Sequence, residues 1–413
     1  MSEPAAPPSA LTARWVAPID VPPIAGGTVE LTPDGRVAAV HDRPDARSGA
    51  EDLGDVALLP GFVNCHTHLE FSDFAAPIPA AGAFADWIAA TVAARRERPG
   101  DRMDRVNRGL AESLAAGVTT VGEIATGAPE ADGWNAARLP PPHARPALVA
   151  FGELIAPRDP VAALDAARAF LQSDGDPPDL IRGLSPHAPY SVHPAVPTLL
   201  AACPDTAAAP WAVHLLETSE EIDLLAKGQG PLAAAMERLG ATRSDFGANR
   251  LRRDYLEPLA TAARGLIVHG NRLTPADLDW LAAPERRHLS VIYCPRTHAH
   301  FGRPPHPWLA LREAGVRVAL GTDGRGSNPD LSILGELRFL HAQFPKVPPA
   351  DLLALGTRCG AEALGVGGGR LRGGEPADLC AVRPDGASGD PAADLLHSGS
   401  RVVAVWRAGR RVV

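Results

Sequence analysis

Val56-Ala57-Leu58-Leu59-Pro60-Gly61-Phe62-Val63-Asn64-Cys65-His66-Thr67-His68 is an apolar run that ends in two histidines one residue apart. Apolar, β-branched-rich runs of this length are strand-like. A doubly wound nucleotide-binding sheet needs a phosphate-binding glycine turn after its first strand. Here the strand opens instead onto Asn64-Cys65-His66-Thr67-His68. Seven further runs of the same kind follow, at 119–124, 147–151, 181–184, 211–215, 266–268, 290–293 and 316–320. Between them lie stretches with helical spacing, among them 84–96, 105–115, 161–171, 220–225 and 275–281. Regular alternation of strand and helix argues for parallel βα units. Eight units over roughly 270 residues fit a (β/α)8 barrel of TIM type, in which the active site sits at the C-terminal ends of the strands.

The flanks have a different pattern. Strand-like pieces at 28–31 and 36–41 are separated by Pro-Asp-Gly and Asp-Arg-Pro turns, after a Pro- and Ala-rich tail at 3–10 that is too poor in core formers to pack. Beyond a Gly-rich stretch near Gly365, the pieces 377–382 and 401–413 are again strand-like, the latter around an Ala408-Gly409 turn. Both ends are expected to pair into one small composite β-sandwich. The expected organisation is 1–57 as its N-terminal part, 58–364 as the barrel and 365–413 as its C-terminal part.

Composition narrows the functions open to such a chain. Its 413 residues can bury a large core, and 45% of them are hydrophobic. A net charge of −8 leaves no basic surface for nucleic acid. Five scattered cysteines, never in a C-x-x-C pair, suggest neither a disulfide framework nor a thiolate metal site. No signal-peptide pattern or membrane-length apolar run is seen, so the expectation is a cytoplasmic protein that is free of membrane. There are 14 histidines but only two lysines, Lys227 and Lys346.

Several histidines fall at strand ends. In an extended segment residues two apart point to the same side, so His66 and His68 can face one point above the barrel mouth. Alone, such a pair is equally two polar residues on a solvated strand end. His214 ends the fifth strand, with Glu217 three residues on, and Gly321-Thr322-Asp323 follows the eighth. Three histidines and an aspartate converging from these strands have the ligand types of a mononuclear site for a borderline cation such as zinc. His269 ends the sixth strand and His187 the fourth. Each by itself is as readily a hydrogen-bonded core histidine as a participant.

As a set, Pro60-Gly61-Phe62-Val63-Asn64-Cys65-His66-Thr67-His68-Leu69-Glu70, His214-x-x-Glu217, Val268-His269-Gly270-Asn271, Tyr293-Cys294-Pro295-Arg296 and Gly321-Thr322-Asp323-x-x-x-Ser327-Asn328 resemble the amidohydrolase superfamily. The likeness runs from about Leu58 to Arg338 and is greatest to the aminohydrolase branch of cytosine, S-adenosylhomocysteine and aminofutalosine deaminases and s-triazine hydrolases. The resemblance implies one divalent metal held by His66, His68, His214 and Asp323, zinc before ferrous iron. Neither lysine lies at a strand end to bridge two ions, so a binuclear centre is disfavoured. It further implies that the metal lowers the pKa of its water toward roughly 7, that Asp323 and His269 orient that water, and that Glu217 carries a proton to the ring nitrogen beside the attacked carbon. The expected activity is hydrolytic release of ammonia from an aminated N-heterocycle, with an adenine-type nucleoside such as aminofutalosine, or a related purine, as the expected substrate.

By position, Glu70, Trp87, His187 and Arg296 are the expected substrate contacts, although Trp87 on an amphipathic segment also suits a core. The loop carrying His298 and His300 is expected to face the substrate. One departure stands out: two turns beyond Trp87, where a carboxylate for ribose hydroxyls would be expected, the chain has Arg95-Arg96-Glu97. An s-triazine-type chlorohydrolase or a cyclic amidohydrolase on the same fold is the alternative, and a non-catalytic metabolite-binding descendant is a further one. The expected partner is a small molecule, and the resemblance also allows a homodimer.

Overall fold

The computed structural model describes residues 9–43, 49–127, 134–386 and 388–413. Its centre is an eight-stranded parallel sheet with strands in sequence order: β1 (Phe62–Thr67), β2 (Val118–Ala125), β3 (Ala147–Leu154), β4 (Leu180–Pro186), β5 (Pro210–Leu215), β6 (Arg264–His269), β7 (Leu289–Tyr293) and β8 (Arg317–Leu320). All eight expected strands are present. The expected helices appear as Phe84–Glu97, Arg102–Ala115, Pro160–Leu171, Ser219–Lys227 and Pro275–Leu281.

The sheet curls until its two edges meet. Backbone N–H groups of Thr322 and Asp323 donate to the His66 carbonyl at 3.1 and 3.0 Å. The buried Asn64 amide reinforces the seam, accepting from the Thr322 N–H at 3.1 Å and donating to its hydroxyl at 2.7 Å. Gly321 is required here, because a Cβ would stand 2.8 Å from that of His66. The result is a (β/α)8 barrel, and its closure brings His66 beside Asp323. Around the strands, the main core buries Trp211, Trp308, Phe170 and Leu337 against the helices.

Chain ends build two further sheets. One, four-stranded, is ordered Val37–His41, Thr28–Leu31, Ala10–Thr12, Glu51–Asp52. The other, six-stranded, is ordered Arg410–Arg411, Arg401–Arg407, Leu379–Arg383, Ala57–Pro60, Trp15–Val16, Ile24–Ala25. C-terminal strands are thus inserted next to N-terminal ones, and Leu11, Val29, Leu58, Leu379 and Trp406 share one buried cluster. This is the composite β-sandwich.

Two local expectations need correcting. The single strand expected at 56–64 is two: Ala57–Pro60 pairs with Leu379–Arg383 in the sandwich, and only Phe62–Thr67 enters the barrel. The crossing therefore falls at Gly61, where a Cβ would collide with the Thr119 side chain, rather than at 58. The tail expected not to pack includes Ala10, which is buried in a strand, whereas 3–8 lie outside the described residues. No helix among the described residues is long and apolar enough to cross a membrane.

Candidate metal centre and active site

Strand ends deliver the site. His66 is completely buried on β1, and its ring centroid is 4.9 Å from those of both His68 and His214. One ring nitrogen from each of the three lies within 4.8 Å of the others. The Nε2 atoms of His68 and His214 face each other at 3.3 Å. At the opposite edge of His214, Nδ1 is 2.9 Å from the His187 carbonyl. That acceptor fixes the proton on Nδ1 and leaves the Nε2 lone pair pointing at the cluster, as a ligating imidazole requires.

Asp323 completes the group. Its Oδ1 is 3.4 Å from His66 Nε2 and 3.5 Å from His68 Nε2, while its Oδ2 accepts from the Ser327 hydroxyl at 2.6 Å. Burial opposes ionisation of this carboxyl, yet His68, His269 and the Ser327 hydroxyl outweigh it and hold its pKa below the usual value. Burial, followed by neighbouring basic groups, pushes the imidazoles of His66 and His68 well below their ordinary pKa. Neutral imidazoles beside an ionised carboxylate are the protonation states that a divalent cation needs.

A second observation bears on the fit. Both ring nitrogens of His66 and Nδ1 of His68 are buried without a hydrogen-bond partner. Buried polar atoms left unpaired cost about 1–3 kcal/mol each, so a fold that retains them points to a ligand at the centre. The chemistry fits one cation held by His66, His68, His214 and Asp323.

Glu217 lies just past β5, on a backbone strained at Leu216 (φ 55°). Glu221 straightens the exit by accepting the N–H of Leu216 at 3.0 Å and of Glu217 at 2.9 Å. Oε1 of Glu217 is 2.9 Å from Arg303 Nη2 and 3.8 Å from His269 Nε2. Burial raises the carboxyl's pKa, Arg303 opposes the rise, and the net direction is upward. His269 itself takes a left-handed backbone (φ 68°), as does Asp323 (φ 57°). Non-glycine residues held there cost of order 1–3 kcal/mol and cluster at working sites. His269 Nε2 is thereby aimed inward, its carbonyl accepts from His306 at 2.7 Å, and burial keeps its imidazole neutral.

His68, Trp87, His187, His214, Glu217, His269 and Asp323 line one cavity at the barrel mouth. His187 is held by Ser191, 2.6 Å from its Nδ1. Trp87 stacks on Phe84 and meets Phe301 edge-on, so the aromatic wall is built from two segments.

Two expected substrate contacts are not in that wall. Glu70 is buried behind it, where Oε1 accepts from Arg95 at 2.6 Å and from Thr126 at 2.9 Å. Arg296 is used up in the scaffold: Nε donates to Glu336 at 2.7 Å, Nη2 to Asp330 at 2.7 Å, and its backbone N–H to Glu336 at 2.9 Å. A guanidinium so saturated has no geometry left for a ligand. The loop expected to face the substrate also turns away. His298 spans Asn271 Oδ1 (3.1 Å) and the Pro304 carbonyl (2.8 Å), and His300 is 2.9 Å from the Ile78 carbonyl. Through Asn271, whose amide donates to the Glu217 carbonyl at 3.0 Å, His298 supports the site from behind.

Sequence reasoning missed Arg303 and Glu221, and it missed Arg95 and Tyr190, which also line the cavity. For Glu221 a signal existed: Thr218-x-x-Glu221 has the capping-box pattern, and Thr218 does cap the helix Ser219–Lys227. Arg303 and Arg95 carry no local signature.

A barrel with this centre at its strand ends has the architecture of a metal-dependent hydrolase. The sequence pattern of the Amidohydrolase family matches residues 57–412, and the chain belongs to that family. It is accordingly a hydrolase acting on carbon–nitrogen bonds other than peptide bonds. Its relatives include an aminodeoxyfutalosine deaminase of Deinococcus radiodurans, 29% identical over 371 residues, covering 82% of this chain and 81% of that protein. A 5-methylthioadenosine/S-adenosylhomocysteine deaminase of Halobacterium salinarum is 27% identical, with 84% and 78% covered. Among solved structures, Helicobacter pylori aminofutalosine deaminase superposes with a TM-score of 0.80 at 24% identity, covering 98% of this chain and 100% of that one. An adenosine deaminase from Xanthomonas campestris with bound zinc superposes at 0.73 and 25% identity, with 99% and 93% covered.

Proposed function

We propose that this chain is a metal-dependent deaminase that releases ammonia from the base of an adenine-type nucleoside, aminofutalosine or a related purine. One observation carries the reading: a buried, protonatable carboxylate, Glu217, faces the same cavity as the cluster of His66, His68, His214 and Asp323. A borderline cation held there, zinc first and ferrous iron second, supplies the positive charge that makes a water acidic near neutral pH.

The chain's own groups do the rest. Asp323, kept ionised, accepts a hydrogen bond from the attacking water, and neutral His269 fixes its orientation. Glu217 takes a proton from that water and delivers it to the ring nitrogen beside the attacked carbon, which makes the carbon electrophilic. Its upward-shifted pKa suits a group that must both accept and donate. Collapse of the tetrahedral carbon then breaks the bond to the amino group, which leaves as ammonia after taking the proton of the new hydroxyl, relayed through Asp323 or Glu217, while that oxygen becomes the product carbonyl. Trp87 and Phe84 offer the base an apolar wall, and His187 lines the same cavity. The deaminase names of the relatives agree with this reading.

The test is stoichiometric and chemical. Purified protein should hold about one metal per chain, and chelation should abolish ammonia release from a panel of adenosine, aminofutalosine, S-adenosylhomocysteine, cytosine and guanine. Metal-loaded protein that releases ammonia from none of them sinks the reading. Halide release or ring opening would then mark the chlorohydrolase or cyclic amidohydrolase alternative.

A further inference from the structure

A second cavity shares the aromatic wall. Phe84 and Trp87 line both it and the catalytic cavity, whereas Phe301 lines the second alone. The segments that follow β5, β6 and β7 bring Thr218, Ser219, Arg272 and Arg303 to it.

Two guanidiniums meet there with donors to spare. Arg303 gives Nη2 to Glu217, while its Nη1 is buried and has no partner. The Arg303 side chain is only 7% exposed, so bulk water does not serve that nitrogen. Nε of Arg272 is likewise buried and unpartnered, and among the described residues no carboxylate pairs with Arg272. A guanidinium can only donate, and leaving its donors buried and unpaired is costly. The lining therefore calls for an acceptor.

Its charges favour an anionic one. Among the described residues, Glu220 is the only carboxylate in the lining. Its oxygens are taken by the N–H groups of Phe84 at 2.6 Å and Ala85 at 3.2 Å, so its charge is directed at the start of the helix Phe84–Glu97. Glu217 is directed at Arg303, and Arg272 is left with neither. The helix Ser219–Lys227 also begins at this cavity, with Thr218 as its N-cap. The N-terminal end of a helix carries partial positive charge and favours anions.

We propose that this cavity binds a small free oxyanion, a phosphate or a carboxylate, between Arg272 and Arg303, and that its occupancy acts on Glu217. The ion shares the Arg303 guanidinium with Glu217 and does so without entering the catalytic cavity. It draws Arg303 away from Glu217 and thereby slows turnover. The site itself stands whichever heterocycle the chain acts on, and only its effect on turnover rests on the deaminase reading.

Inorganic phosphate and acetate are titrated separately into zinc-loaded protein by calorimetry, and each also into protein dialysed free of metal and chelator. Saturable binding is expected, with the same affinity in both preparations, because none of the four expected metal ligands lines this cavity. The tighter of the two ions identifies the class of anion. Arg272→Met should weaken it about 10-fold or more by removing a charge-assisted contact. Ser219→Asp should weaken it by repulsion, and because an acidic residue suits the first turn of that helix, such a loss is not a loss of folding. Binding of neither ion, binding confined to the zinc-loaded protein, or affinity unchanged in both variants overturns the site. In steady-state assays the saturating ion is expected to lower kcat of the parent but not of Arg272→Met. An ion that raises KM alone sits in the catalytic cavity and overturns the proposal. Protein that releases no ammonia counts against the deaminase reading alone, because the titrations still decide the site.

Discussion

Arg303 Nη2 stands 2.9 Å from Glu217 Oε1, and both side chains are at most 7% exposed. The guanidinium also lies over the rings of Phe301 and Phe84, at 4.3 and 5.3 Å from their centroids. Burial drives the Glu217 carboxyl upward, and Arg303 is the largest force against it. Glu217 must begin ionised to take the water's proton. In Arg303→Met the carboxyl rises further, so protonation silences it at higher pH. The acid limb of the kcat profile is expected to shift to higher pH, and kcat near neutrality to fall about 10-fold or more. Glu217→Gln should cost about 10²–10⁴ in kcat, the range for general acid–base groups. Both variants should retain the metal. A kcat–pH profile of Arg303→Met that overlays the parent's would show that the ion pair does not tune Glu217.

Removing the metal should destabilise the protein as well as silence it. Both ring nitrogens of His66 and Nδ1 of His68 are buried without a hydrogen-bond partner. Anything that binds only the folded state stabilises it by RT ln(1 + [L]/Kd), about 4 kcal/mol at a thousandfold excess over Kd. Scanning calorimetry of chelated and zinc-reconstituted protein is expected to show a higher midpoint for the latter. His66→Ala should abolish that difference. An identical midpoint with and without zinc would mean that the cluster binds no metal tightly.

The parts of the site readable from sequence were those in which one strand end contributes a whole chemical unit. His66 and His68 share a strand, and His214 and Glu217 share a strand exit, so spacing alone carries the chemistry. Asp323 was readable because an apolar run ends immediately before it. What failed depended on partners distant in sequence. Arg296 is adjacent to a strand end, as a substrate contact would be, but Glu336 and Asp330, 40 and 34 residues on, claim it. Arg303 reaches Glu217 across 86 residues, and no local pattern announces such a pair. The fold shows the same division. All eight barrel strands follow from local pattern, whereas the split of the first run at Gly61 depends on pairing with Leu379–Arg383, over 300 residues away.

If Arg296 is scaffold, its loss should be read in stability rather than in substrate affinity. Breaking a buried ion pair by removing one partner typically costs about 3–5 kcal/mol. Glu336 is fully buried and would be left accepting only from Asn328 and the Arg296 backbone N–H. Arg296→Met is expected to lower the unfolding free energy by about that much, while KM of the folded fraction stays within a few-fold. Denaturant unfolding alongside steady-state kinetics decides this. A large rise in KM without loss of stability would restore Arg296 as a substrate contact.

His306 should make a recognisable contribution to acid sensitivity. It stacks on Tyr293 at 4.0 Å, lies nearly fully buried, and donates to the carbonyl of the strained His269 at 2.7 Å. Burial pushes its imidazole down to about 3, with the hydrogen bond to that carbonyl only partly offsetting the effect. In the unfolded chain the same ring takes a proton near its ordinary value of about 6.5. Because the folded pKa is depressed, the unfolded state binds more protons between these values, and stability falls as pH drops from about 6.5 toward 3. Above that window the neutral ring contributes fully. One extra proton bound by the unfolded state gives a slope of about 1.4 kcal/mol per pH unit. His306→Gln cannot take up that proton, although its amide can still donate to the His269 carbonyl. Urea unfolding of the two proteins between pH 4 and 6.5 should therefore show a slope shallower by about that amount in the variant. Parallel slopes would mean that His306 gains its proton in the folded state as readily as in the unfolded one, and that its burial against Tyr293 does not hold it neutral.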